Sequence, residues 1–144
     1  MPENFKEILE NIKLNGLNEQ QIKAFNVALG NKNNTARISY SGEMANNIDK
    51  GKKIEMTFKT LDSYKLKPDL MKIDVEGFEL EVLEGAVKTI KRYHPKIIIE
   101  THSRDLEKKA KKFLSSFNYT VKHEGRSAYN VNDKFDKATN VFFE

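Results

Sequence analysis

Residues 69–77 read Asp-Leu-Met-Lys-Ile-Asp-Val-Glu-Gly, and this stretch restricts the fold more than any other. Met71, Ile73 and Val75 alternate with Lys72, Asp74 and Glu76. Successive side chains of an extended strand point to opposite faces, so the apolar set shares one face and the charged set the other. The first face demands a core. The second needs ion partners or water, because a buried charge is costly unless paired. The charged row ends in a carboxylate pair just before Gly77 and a helical segment. Ligand chemistry in α/β proteins gathers where strands end and helices begin. The segment therefore reads as the rim of a site as well as a piece of core.

The flanking pattern extends this reading. Phe78, Val82, Leu83, Ala86, Val87 and Ile90 define one face of a helix. Glu79, Glu81 and Glu84 come early in it, and Lys88, Lys91 and Arg92 come late, which complements the helix dipole. Pro95 stops that helix and biases His94 towards an extended backbone. Lys96-Ile97-Ile98-Ile99-Glu100 is the β-branched run of a buried parallel strand. Ser103 can cap a helix carrying Leu106, Ala110, Phe113, Leu114 and Phe117. Tyr119 to His123 and Asn140 to Phe143 read as two strands joined by a polar loop. From residue 69, strands alternating with helices argue for a parallel sheet with right-handed crossovers. The last two strands, with no helix between them, argue for an antiparallel edge.

Upstream, Phe5, Ile8, Leu9 and Ile12 predict an amphipathic helix over residues 3–15, ended by Asn15-Gly16. Ile22 to Leu29 reads as a strand closed by Gly30, and residues 31–34 as a turn. Arg37 to Tyr40 and Ile54 to Phe58 read as strands, residues 41–53 as a polar loop, and Thr60 to Tyr64 as one helical turn.

Composition narrows the function classes. A chain of 144 residues suits a single domain, and 38% apolar residues suit a folded one. No apolar run approaches the ~20 residues of a membrane helix, so no membrane partner is expected. The first residues, Met-Pro-Glu-Asn-Phe-Lys-Glu, lack the apolar core of a secretory signal. Without cysteine there is no disulfide frame, thiolate metal site or cysteine nucleophile. A cytoplasmic setting is the expectation. The net charge of +4 comes from scattered lysines. The cluster Lys108, Lys109, Lys111 and Lys112 has no interleaved aromatic residues to stack on bases. It reads as a solvated helix face, and nucleic acid is not an expected partner.

The run Ile73-Asp74-Val75-Glu76-Gly77-Phe78-Glu79-Leu80-Glu81-Val82-Leu83-Glu84-Gly85-Ala86 resembles the signature of FkbM-type methyltransferases, which depend on S-adenosylmethionine. That family shows Lys-Ile-Asp-Val-Glu-Gly-x-Glu followed by Val-Leu-x-Gly-Ala. Further stretches are similar. Pro2-Glu3-Asn4-Phe5 with Asn15-Gly16-Leu17 resembles the helix after the family's second strand. Ala28-Leu29-Gly30 resembles the end of its third strand, and Thr60-Leu61-Asp62 the lead-in to its fourth. Ile97-Ile98-Ile99-Glu100 with His102 resembles its fifth. The resemblance covers nearly the whole chain. It implies an α/β fold with a Rossmann-like methyltransferase sheet, mostly parallel with an antiparallel C-terminal edge. It also implies S-adenosylmethionine as cofactor and O-methylation of a small hydroxyl-bearing acceptor.

The family opens with a strand and a Gly-rich turn for the cofactor's methionine part, then a second strand ending in an acidic residue for the ribose. Neither is found here. Residues 1–144 therefore look like one methyltransferase-like domain, N-terminally truncated to the C-terminal two-thirds of the family fold, with an incomplete cofactor site. Loss of the central first strand would leave the strand at 70–75 with an open edge, which invites pairing. The expectation is a rearranged sheet or a homo-oligomer that covers the edge, unless the gene product starts further upstream. The alternative to an enzyme is a non-catalytic remnant acting as a binding or oligomerisation module.

The resemblance places Asp74 and Glu76 at the end of the fourth strand, between cofactor and acceptor, and His102 at the same sheet end. A neutral hydroxyl is a weak nucleophile, so a carboxylate or imidazole base would assist the transfer. The plainer roles are a helix cap for Glu76 and backbone bonding for Asp74. Ala28 and Leu29, with Asp74, are the cofactor-binding candidates, near the adenine; Ala28 and Leu29 read equally as a buried strand end. Lys72 can neutralise the carboxylates or cover apolar surface with its stem while its head stays in water, and the structural reading is the favoured one. His94 and His123 read as structural or solvent-facing, and Asp62 as the cap of a turn. The spacing Asp74, Glu76, Glu79 could suit a hard cation. Acidic residues at a helix start need no metal to explain them, so none is expected.

Overall fold

The structure, a computed structural model, describes residues 2–39, 53–126 and 139–144. In chain order the elements are α1 (Pro2–Leu14), β1 (Ala28–Leu29), β2 (Asn34–Ser39), β3 (Lys53–Lys59), a 3-10 turn (Leu61–Tyr64), β4 (Leu70–Ile73), α2 (Glu79–Glu84), α3 (Val87–Tyr93), β5 (Lys96–Thr101), α4 (Arg104–Ser115), β6 (Val121–Arg126) and β7 (Thr139–Phe143). The loop expected over 41–53 lies outside the described residues except for Lys53, which opens β3. The polar loop expected between the last two strands lies outside them from 127 to 138.

The strands form two mixed sheets, where the sequence pointed to one mostly parallel sheet. The first has the order β1-β3-β2, with β1 parallel and β2 antiparallel to β3. The second has the order β4-β5-β7-β6. Here β4 and β5 are parallel, as the strand-helix-strand pattern requires, and β7 is antiparallel to both β5 and β6. The antiparallel strand is thus internal. The edge strand β6 runs in the sense of β5. A short connection from α4 delivers β6 in that sense, and β7 then returns through the gap between the two strands. At the other edge, β4 is paired only with β5 among the described residues.

Alternation decides the core. On β4 Met71 and Ile73 are buried while Leu70 and Lys72 are exposed. On β5 Ile97 and Ile99 are buried. Val82, Leu83, Ala86 and Ile90 from the helices, with Leu114, Val141 and Phe143, complete one cluster around these strands. Ser103 caps α4 as expected, its Oγ accepting the Leu106 N–H at 3.2 Å. Among the described residues no helix is long and apolar enough to cross a membrane.

Two expected elements are corrected. The single helix from Phe78 to Ile90 is broken into α2 and α3 at Gly85-Ala86. The break seats the first sheet: a Cβ on Gly85 would lie 2.0 Å from the Gly30 carbonyl oxygen. Asp62 completes the joint. Its N–H donates to the Gly85 carbonyl at 3.0 Å. Its carboxylate accepts the Lys88 and Thr89 N–H groups and the Thr89 hydroxyl at 2.8–2.9 Å. Asp62 therefore caps α3 from outside the helix, satisfying donors that the helix start leaves open. The strand expected over 22–29 is reduced to Ala28–Leu29. Only these two residues reach a partner strand, and Ile22 and Phe25 remain exposed.

Candidate active site

The charged face of β4 and the end of β5 converge at one end of the second sheet. Lys72 Nζ stands 3.2 Å from Asp74 Oδ2 and 3.3 Å from Glu100 Oε2. The parallel register sets this up by pairing Lys72 with Ile98, two residues before Glu100 on the same face. Burial pulls the Lys72 ammonium down, but hydrogen bonds and charge from Asp74 and Glu100 outweigh it and hold Lys72 above its ordinary value. Lys72 is thus the counter-ion of two carboxylates, the less favoured of the two roles read from the sequence.

β4 ends at Ile73, short of the strand expected over 70–75, and the chain then turns sharply. Glu76 has φ +51° and Gly77 φ +101°. Lys65, His94 and Asn118 also have positive φ, but Lys65 and His94 sit at helix C-caps and Asn118 in the turn after α4, where that conformation is common; His94 is left-handed and not extended as expected before Pro95. Glu76 has no such excuse. A left-handed non-glycine residue costs about 1–2 kcal/mol, and such strain clusters at functional sites. The turn swings Glu76 Oε2 to 3.3 Å from His102 Nε2, while leaving the Glu76 side chain 82% exposed. Glu76 is not the cap of α2. Phe78 occupies the cap position without a side-chain cap bond.

On the other side of the imidazole, Glu79 Oε1 lies 3.1 Å from His102 Nδ1 and also accepts the Gly77 N–H at 3.0 Å. Glu79 is wholly buried. His102 is thereby held between two glutamates, one at the surface and one in the interior.

Asp74, Glu100 and His102 offer ligand atoms within 4.8 Å of one another, a spacing that could hold a metal ion. Lys72 Nζ already stands on two of the three, so an ammonium supplies the positive charge there.

The structure brings Asp74, Glu76 and His102 together. Ala28 and Leu29 lie on the first sheet, half-buried, in register with Phe58 and Lys59. Beyond them opens a pocket of about 290 Å³, lined by Gly30, Asn31, Lys32, Asn34, Ala36, Phe58, Phe78 and Glu81. The Phe58 and Phe78 rings are 6.4 Å apart and tilted by 36°. The segment 76–81 serves both regions, offering Glu76 and Glu79 to His102 and Phe78 and Glu81 to the pocket. His94 takes no part and stacks on Tyr119 at 4.1 Å; His123 is exposed.

A family model described as Methyltransferase FkbM domain matches residues 2–126. The chain belongs to that family. No curated protein matches it. Among solved structures it is similar to Methyltransferase FkbM from Methylobacillus flagellatus KT, at 20% identity and a TM-score of 0.59. The match covers 96% of this chain and 33% of that one, so the chain spans about a third of the neighbour's length. At that identity the likeness concerns the fold.

Of the cluster's residues, Glu100 is not a sequence candidate, and Glu79 enters the sequence reading only through a cation spacing that is set aside. Glu79 reads as one of several acidic residues matched to a helix dipole, and only its place in the motif's Gly-x-Glu sets it apart. Glu100 reads as the polar end of a buried strand.

Proposed function

We propose that this chain carries the methyl-transfer site of an FkbM-type O-methyltransferase dependent on S-adenosylmethionine, with a small hydroxyl compound as acceptor. The observation that carries the reading is the imidazole of His102, gripped on both nitrogens at the carboxyl ends of β4 and β5. When bound, S-adenosylmethionine supplies an electrophilic methyl group on a sulfonium. The chain's residues suit both partners. Four carboxylates, of Asp74, Glu76, Glu79 and Glu100, face one ammonium and one imidazole, and this negative excess favours a cationic donor. His102 Nε2 accepts the hydroxyl proton as the oxygen–methyl bond forms and the sulfur–methyl bond breaks. Exposed Glu76 then stabilises the imidazolium, and Asp74 orients the acceptor hydroxyl.

The pocket beside Ala28 and Leu29 fits the cofactor's adenine. Phe58 and Phe78 offer aromatic faces, and Asn31 and Asn34 offer amides, the mix of flat apolar wall and few polar groups that such sites use. Contacts to the ribose and methionine lie, in this reading, outside the described residues.

Titration calorimetry with S-adenosylhomocysteine tests the reading. The expected result is binding tighter than about millimolar, which is about 4 kcal/mol, weakened at least tenfold by Phe78→Ala and kept by His102→Gln. Flat heats with the folded chain would overturn it.

A second reading, a binding or oligomerisation module, is favoured by the pairing of β4 on one side alone among the described residues and by exposed Ile8, Leu9 and Leu14 on α1. In that case a second copy covers the β4 edge. Flat heats combined with a dimer in sedimentation would select it.

A further inference from the structure

We propose that Glu79 is the positioning residue of this site: its buried carboxylate fixes the tautomer and the ring orientation of His102, so that Nε2 is the nitrogen offered to a reacting hydroxyl. The proposal rests on the methyl-transfer reading for its use, but not for its geometry.

Glu79 is 0% exposed, which is costly for a carboxylate unless hydrogen bonds compensate. Among the described residues Oε2 has no hydrogen-bond partner at all. A glutamate needed only for packing would be replaceable by leucine or methionine at no loss. The two contacts that Glu79 does make are informative. Oε1 accepts the Gly77 N–H at 3.0 Å, and it lies 3.1 Å from His102 Nδ1. Oε1 already accepts the Gly77 N–H, so the same oxygen pairs with the ring by accepting an Nδ1–H as well. In a neutral imidazole that leaves Nε2 with its lone pair free. Nε2 faces Glu76 Oε2 at 3.3 Å, a contact that becomes a hydrogen bond only when Nε2 is protonated; beside the neutral ring the Glu76 side chain, 82% exposed, yields its place to an acceptor hydroxyl.

One oxygen thus serves two ends. It anchors the turn in which Glu76 and Gly77 take positive φ, and it anchors the ring that this turn faces. Lys72 cannot substitute, because an ammonium has no lone pair to accept an Nδ1–H, and it donates to Asp74 and Glu100. Glu79 does not touch the acceptor. It acts through His102, as outer carboxylates do behind other working histidines.

Long-range proton–nitrogen NMR on histidine-labelled protein tests this directly, at about pH 8.5, above the ordinary histidine range. The chain has three histidines, so His102→Gln assigns the signal, with His94 and His123 as internal references. The expected result for the wild type is a neutral His102 protonated at Nδ1. Glu79→Leu, which keeps the site apolar but has no acceptor for an Nδ1–H, should release His102 towards the Nε2–H form that an unconstrained neutral imidazole favours. A wild-type His102 protonated at Nε2, or a tautomer unchanged by Glu79→Leu, would overturn the proposal. The wild-type measurement decides even if the variant fails to fold. Absence of S-adenosylhomocysteine binding would sink the methyl-transfer reading while leaving the tautomer result standing.

Discussion

The molecule has two differently built halves. From Met71 onward a continuous core includes Leu83, Ile90, Ile97, Ile99 and Leu114, none of them measurably exposed. Before Met71, among residues whose exposure is described, only Gly30 is buried. Ile8, Leu9, Leu14, Ile22 and Phe25 are exposed there. The first half is attached by directional contacts. Gly30 seats against Gly85, Asn31 bonds Glu84 at 2.9 Å, and Asp62 caps α3. Partly buried Leu29 and Leu61 add a small apolar contribution. Apolar burial scales with area, whereas a net hydrogen bond contributes about 1 kcal/mol. The second half should therefore set global stability, and the first should open at lower cost.

The sharpest way to break this contrast is to cut the core. Leu83→Ala should cost about 2–5 kcal/mol in urea unfolding, and a cost below about 1 kcal/mol would show that the second half does not dominate. Alkaline pH offers a second probe of the same half. Burial pushes the Tyr119 hydroxyl up to about 12, while its proton is held on the Pro95 carbonyl at 2.7 Å. The folded state therefore keeps a proton that the unfolded chain releases near its ordinary value of 10.0. The resulting stability is complete below pH 10 and falls by about 2 kcal/mol as pH rises towards 12. Tyr119→Phe should cost about 1 kcal/mol at neutral pH and remove this tyrosine's share of the alkaline loss.

The joint between the halves should respond less. Asp62→Ala removes a cap and should cost about 1–2 kcal/mol. Hydrogen exchange should quicken at the Lys88 and Thr89 amides and across β1 and β3, with β5 and β7 still protected. Equal loosening of both sheets would mean that they unfold as one unit. Smallest of all, Ile8→Ser with Leu9→Ser should change stability by less than about 0.5 kcal/mol per residue. A larger cost that grows with protein concentration would show that another chain covers α1.

Legibility followed the same division. β4, β5, α4 and the Ser103 cap could be read directly, because each rests on a local period or a local cap. The gathering of Asp74, Glu76 and His102 at one sheet end was also readable, from a motif and a strand end. The helix break at Gly85-Ala86 was not, since its cause is the Gly30 carbonyl, remote in sequence. The strand expected at 22–29 failed for a related reason: extended residues become a strand only where a partner supplies hydrogen bonds. The burial of Glu79 against His102 was not legible, because a glutamate in the first turn of a helix ordinarily faces water and the dipole explains it.

Sequence by itself determined which faces would be greasy, which would be charged, where helices could start, and that the chain carries the FkbM motif. Those properties are written in spacing, which acts between near neighbours. Only the tertiary structure decided that β7 lies between β5 and β6, that Glu79 is sealed inside against His102, and that Lys72 bridges Asp74 and Glu100. These depend on packing between distant segments, where burial and pairing set the cost of every polar group.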